Sequence, residues 1–256
     1  MKAVILAGGF GTRIAEESSV RPKPMVEIGG RPILWHIMKI FSAHGIDDFV
    51  ICAGYKGEVI REFFAHYAIN STDVTFDLVS QSVEYHSKVE EPWRVTVADT
   101  GQAVMTGGRL VRAKKHIGNE TFLMTYGDCV SDVNIPQLID FHRSKQALVT
   151  LTAIQPPGRF GALSLADESL VSSFHEKRDA HGTRVNGGFM VVEPEALELV
   201  EGDATSWEVE PLQQAAAMGR LHAYAHSGYW QNLDTLRDKN VLEAEWASGS
   251  PPWKIW

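Results

Sequence analysis

Residues 1–13 read MKAVILAGGFGTR. Met1 to Leu6 form a short apolar run that breaks at Ala7-Gly8-Gly9, a pattern that predicts a buried strand followed by a glycine loop. Beyond it, VRPKPMVEIGGRPIL leads into Ile33, Leu34, Ile37, Met38, Ile40 and Phe41 at helical spacing, and His44-Gly45 closes that helix. FVICAGY, residues 49–55, reads as a second strand and Val59 to Tyr67 as a second helix. An order of strand, helix, strand, helix predicts an α/β chain with a mostly parallel sheet covered by helices on both faces.

From Val74 to Thr100 the pattern changes to short alternating segments, VTFDLV, VEYHS and WRVTVADT, which predict a small antiparallel insertion. The earlier order then resumes. Thr121–Tyr126 reads as a buried strand ending at Gly127-Asp128, Pro136–Lys145 as a helix and Leu148–Ile154 as a strand. GRFGALSLADESLVSSFHEK has the pattern of a hairpin, and FMVVEPEALELV that of a strand running into a helix. No repeat or linker divides the chain, so residues 1–256 are expected to form one domain. The segment SGSPPWKIW carries Trp253, Ile255 and Trp256, which are costly to leave in water, so it is expected to pack on the body or on another subunit.

Composition narrows the function classes. Of 256 residues, 32 are acidic and 24 basic, a net charge of −8 that disfavours binding to a nucleic-acid backbone. No apolar run approaches the roughly 18 residues that span a bilayer, and no signal-peptide pattern opens the chain. A cytoplasmic location with no membrane partner is therefore expected. Two cysteines, Cys52 and Cys129, exclude a disulfide framework and a four-cysteine metal site. The histidines lack the HExxH pattern, and His222 with His226 reads as surface or core.

The glycine loop, with Gly8, Gly9 and Gly11, suits phosphate, because glycine permits the close approach and positive φ that let backbone N–H groups converge on an anion. No Gly-Lys-Ser/Thr follows, so it is not a Walker A loop, and Ile14 stands where a dinucleotide fingerprint has its third glycine. The same loop also fits a plain tight turn. Arg13 and the sequel Arg21-Pro22-Lys23-Pro24-Met25 add positive charge, and two prolines brace Lys23 in a stiff segment.

AGGFGTR followed by RPKPM is very similar to the GGxGTR…KPK signature of the sugar-1-phosphate nucleotidyltransferases. The resemblance continues through MVEIGGRPILWHIMKIF, EPWRVTVADTG, MTGGRL, PPGRFGAL, VNGGFMV, WEVEPL and WQNLDTLRDKNVLE, where it points to the branch that makes CDP-glucose. It implies a Rossmann-like fold of the nucleotide-diphospho-sugar transferase type, CTP and glucose 1-phosphate as substrates, Mg²⁺ as cofactor and a homo-oligomer. Its product would feed deoxysugar and O-antigen synthesis.

Such a reaction asks the protein to align two anions and to neutralise growing charge, which needs cations and a divalent metal. By resemblance, Lys23 and Arg13 are catalytic. Leu6, Ala7, Gly8, Gly9, Gly11, Thr12, Arg13, Lys23, Thr106, Gly108, Arg109 and Asp128 would hold the nucleotide. Gly161, Glu176, Lys177, Asn186 and Gly187 would hold the sugar phosphate. Asp128, after its predicted strand, and Asp234, in WQNLDT, would hold the metal, although an aspartate in such a place also serves as a turn or helix cap. Arg109 is expected to donate to the base, and carbonyls of Leu6 to Gly9 to accept from its amino group. Aromatic crowding at Trp246, Trp253 and Trp256 is expected to be buried between subunits.

Two residues depart from the pattern: Cys129 stands where the family usually has glycine, and Arg178 where it has proline. No triad surrounds Cys129, which reads as a packed thiol. A glycosyltransferase of similar architecture would also use Asp128, but it leaves the glycine loop and Lys23 without a role. A regulatory nucleotide-binding module would not require Lys23, Asp128 and Asp234 together.

Overall fold

The computed structural model describes residues 1–14, 20–155, 162–165, 171–175 and 184–256; for Arg13 and the two short segments between 162 and 175 it describes the backbone. Expectations for Gly161, Glu176, Lys177, Arg178 and the Arg13 side chain lie outside the described residues.

The opening apolar run forms β1 (Ala3–Ala7), buried along its whole length. It is followed by α1 (Ile33–Ser42), β2 (Asp48–Ala53), α2 (Gly57–Ala65) and the short α3 (Tyr67–Ser71). Next come β3 (Arg94–Asp99), α4 (Thr106–Ile117), β4 (Phe122–Tyr126), α5 (Ile135–Lys145), β5 (Val149–Ile154) and β6 (Val185–Val192). The order ends with α6 (Glu210–Ala217), β7 (Leu221–Ala225) and α7 (Leu236–Ala247).

One seven-stranded sheet has the order β7-β5-β6-β4-β1-β2-β3. β1 pairs in parallel with β2 on one side and β4 on the other, and β2 with β3. β6 runs antiparallel to both β4 and β5, while β5 and β7 are parallel. The sheet is therefore mixed and mostly parallel, as expected. Alternate residues of β1 feed two cores: Ala3, Ile5 and Ala7 pack with α1, and Val4 and Leu6 pack with Leu110, Ala113 and Ile117 of α4. α1 is buried all round except at Lys39 and Ser42, the pattern of an internal helix.

Val74–Asp77 pairs antiparallel with Ser82–Tyr85, and Ala162–Leu165 pairs antiparallel with Val171–His175. The expected insertion over 74–100 needs one correction: its last segment is β3, the parallel edge strand of the main sheet. An edge strand is only half-buried, so it alternates like an antiparallel one. The second helix also breaks at His66, which divides α2 from α3.

Trp253 is fully buried within the chain, its Nε1 3.4 Å from His36 Nδ1 and its ring stacked on Trp246. For Trp253 the expectation of burial between subunits is thus corrected: α1 covers it. Among the described residues, no helix is long and apolar enough to cross a membrane.

Candidate active site

Parallel strands β1 and β4 end side by side, and the Gly127 N–H at the end of β4 donates to the Leu6 carbonyl of β1 at 2.9 Å. Their following loops open a cleft of about 500 Å³. Of the residues expected at the nucleotide and metal, Leu6, Ala7, Gly8, Gly9, Gly11, Thr12, Lys23, Thr106, Arg109, Asp128 and Asp234 all line it. Gly108 does not: a Cβ there would lie 2.7 Å from Asp203 Cα, so it serves the packing of α4 on that loop.

Lys23 lies in a single 3-10 turn, Lys23–Met25, with Pro22 extended before it. Pro24 sets the turn against Gly127, where a Cβ would come within 2.9 Å of the proline ring, so only glycine lets the two loops meet. This contact aims Lys23 at Asp128. Its Nζ sits 2.6 Å from Asp128 Oδ2 and 2.5 Å from Asp234 Oδ1. Burial works against the ammonium, but the charges and hydrogen bonds of Asp128 and Asp234 outweigh it and hold Lys23 above the usual lysine pKa.

The two aspartates are brought together by a short antiparallel pair, Cys129–Ser131 with Trp230–Asn232, and by the Leu233 N–H, which donates to the Asp128 carbonyl at 2.8 Å. Asp234 then precedes α7, whose start is fixed by a capping box of Thr235 and Asp238. Asn232 Nδ2 donates to Asp234 Oδ2 at 2.8 Å and orients it. The donor set fits a divalent cation, since the two carboxylates already converge on one positive group. Among the described residues no cluster of three or more His, Cys, Asp or Glu side chains forms a closed cage.

Arg109, 4% exposed, has a structural engagement that its sequence does not announce. Its Nη1 donates to Thr100 Oγ1 at 2.9 Å and the Gly101 carbonyl at 2.6 Å; its Nη2 donates to the Gly8 carbonyl at 2.9 Å and the Gln102 carbonyl at 3.1 Å. The Gly8 carbonyl also accepts from the Tyr55 N–H at 3.2 Å. Both of its lone pairs are thus taken within the protein, and the guanidinium ties the glycine loop to the Thr100–Gln102 turn. A Cβ at Gly8 would lie 2.1 Å from Arg109 Nη1, so glycine is required there by close approach.

On the sugar side, Asn186 and Gly187 begin β6, which starts at the cleft because it runs against its neighbours. The Gly188 N–H donates to Asn186 Oδ1 at 2.9 Å, and Trp230 Nε1 donates to the Gly187 carbonyl at 2.7 Å. Asn186 Nδ2 reaches Tyr126 Oη, a cleft residue, at 3.4 Å. Cys129 is buried, and burial pushes its thiol well above the ordinary range, as a packed thiol requires. Sequence alone does not single out Tyr126 or its partner Glu208, although they stand in the TYGD and WEVEPL segments and the former directly precedes Gly127-Asp128.

The chain is 55% identical over 257 residues to glucose-1-phosphate cytidylyltransferase of Salmonella typhi, covering all of both chains. It is 42% identical over 259 residues, again covering all of both, to a Bacillus subtilis protein described as "Probable glucose-1-phosphate cytidylyltransferase". The fold matches UDP-glucose pyrophosphorylase from Acinetobacter baumanii with a TM-score of 0.68 at 19% identity, covering 99% of this chain and 95% of that one. Residues 2–238 match the family model described as nucleotidyl transferase, and the chain belongs to that family.

Proposed function

We propose that the chain transfers the cytidylyl group of CTP to glucose 1-phosphate, giving CDP-glucose and pyrophosphate. The observation that carries this reading is the Lys23 ammonium, braced between Asp128 and Asp234 at the mouth of a glycine loop. The full-length relatives supply the choice of substrates. In the reaction a phosphate oxygen of the sugar phosphate attacks the α-phosphorus of CTP, and the bond from that phosphorus to the pyrophosphate oxygen breaks.

The backbone amides from Gly8 to Thr12 receive the triphosphate, and Arg13 adds charge beside it. Lys23 neutralises the phosphoryl group on which charge grows, an interaction stronger in the transition state than in the ground state. A divalent ion, Mg²⁺ in this reading, would be held by Asp128 and Asp234 and would supply charge neutralisation at the phosphate oxygens. Asn186 and Gly187, with Gly161, Glu176 and Lys177, are assigned to the sugar phosphate. The working unit is taken to be a homo-oligomer in the cytoplasm, and light scattering of the purified protein checks the oligomer.

Cytosine offers an amino donor and a bare ring acceptor where uracil offers the reverse, so a base site matched to one leaves groups unpaired with the other. Pyrophosphate release should therefore be measured with CTP, UTP, dTTP and GTP against glucose 1-phosphate, with and without chelator. The expected result is metal-dependent release that favours CTP. Equal use of UTP or dTTP overturns the substrate choice, and full activity in excess chelator overturns the metal.

A further inference from the structure

Glu208, in the segment WEVEPL, joins the two sides of the cleft and has no part in the chemistry assigned so far. Its Oε1 accepts from Tyr126 Oη at 2.7 Å, and its Oε2 accepts from Thr106 Oγ1 at 2.6 Å and from Ser206 Oγ at 2.8 Å. Tyr126 and Thr106 both line the cleft, Thr106 at the start of α4 and Tyr126 at the end of β4 beside Asp128. Thr106 Oγ1 also accepts from the Trp207 N–H at 2.9 Å, so its hydrogen and one lone pair are both fixed.

A phenol has one hydrogen, and here Glu208 takes it. Tyr126 Oη is left as an acceptor, with Asn186 Nδ2 at 3.4 Å as its one weak donor among the described residues. An oxygen of this kind suits a hydroxyl that donates.

We propose that Glu208 is a positioning residue for the sugar phosphate, fixing Tyr126 Oη as an acceptor for a hydroxyl of the sugar. The inference rests on the reaction proposed above. A neutral amide at position 208 has one oxygen for three donors, and its NH₂ group would turn the phenol hydrogen back toward the cleft. That reverses the polarity Tyr126 presents and sets donor against donor.

The test is steady-state kinetics on Glu208→Gln, Tyr126→Phe and the double variant, with CTP and glucose 1-phosphate varied separately and thermal unfolding measured alongside. Expected for each single variant is a rise of about tenfold in KM for glucose 1-phosphate, the scale of one hydrogen bond, with KM for CTP within about threefold. The double variant should be no worse than either single one, because both break the same unit. Glu208→Asp keeps the charge and should recover part of the loss. Unchanged KM for the sugar phosphate, equal rises for both substrates, or additive losses overturn the inference. If Glu208→Gln does not fold, Tyr126→Phe decides the matter by the same split in KM. Wild-type protein that releases no pyrophosphate from CTP and glucose 1-phosphate instead overturns the reaction itself.

Discussion

Lys23 carries its charge into a place where two carboxylates hold it, 12% exposed, within 2.6 Å of one and 2.5 Å of the other. Stiffness comes from Pro22 and Pro24 and aim from the contact of Pro24 with Gly127. Replacement by alanine removes one preorganised positive group, so Lys23→Ala should lower kcat by roughly 10²-fold or more. The protein should stay folded, with circular dichroism as the check; an unchanged kcat in a folded variant would sink the role. The charged residues were legible in sequence because prolines around a lysine and an aspartate after a buried strand leave a local trace. Arg109 is different. Its type and its neighbourhood could be read, but not that four hydrogen bonds hold it to loops far apart in the chain.

At the scale of elements, the glycine loop depends on α4, which carries Arg109 onto the Gly8 carbonyl. Gly8→Ala would place a Cβ 2.1 Å from Arg109 Nη1 and push the guanidinium off the Gly8, Gly101 and Gln102 carbonyls. A loss of roughly 2 kcal/mol or more is expected in urea unfolding, together with a raised KM for CTP. A variant with wild-type stability and KM would show that the strut does not matter. β1, α1 and β2 could be read from the chain because each buries a contiguous or regularly spaced apolar set. α4 could not: Gly107 and Gly108 in its first turn weaken the local helix signal, and their reason, close packing on Thr205 and Asp203, is tertiary.

At the scale of the whole molecule, His36 links the first helix to the last turns of the chain. A carbonyl can only accept and an indole N–H can only donate. His36 Nε2–H therefore donates to the Ile28 carbonyl at 2.9 Å, and Nδ1 accepts from Trp253. Burial lowers its pKa from 6.5 to about 4, against the backbone hydrogen bonds of Ile28 and Arg31. Because the folded pKa is depressed, the unfolded chain binds the proton first, so stability is full above pH 6.5 and falls as pH drops toward 4. The fall from this residue should be about 3 kcal/mol. Urea unfolding at pH 7 and pH 4 measures it, and His36→Gln should flatten that part of the profile. Trp253→Ala should cost roughly 3–5 kcal/mol, the scale of a large aromatic removed from a core. Unfolding that barely shifts would show that the pocket closes without it.

The Trp253 contact also sets an order of events in time. A ribosome that has made α1 must add 217 more residues after His36 before the indole that covers it exists. Through that interval Trp35 and His36 lack the cover they have in the finished protein, and closure across such a sequence distance is slow. Nascent chains halted before position 253 should therefore hold a sticky aromatic face, bind holdase chaperones and aggregate once released. Chains that run past it should not.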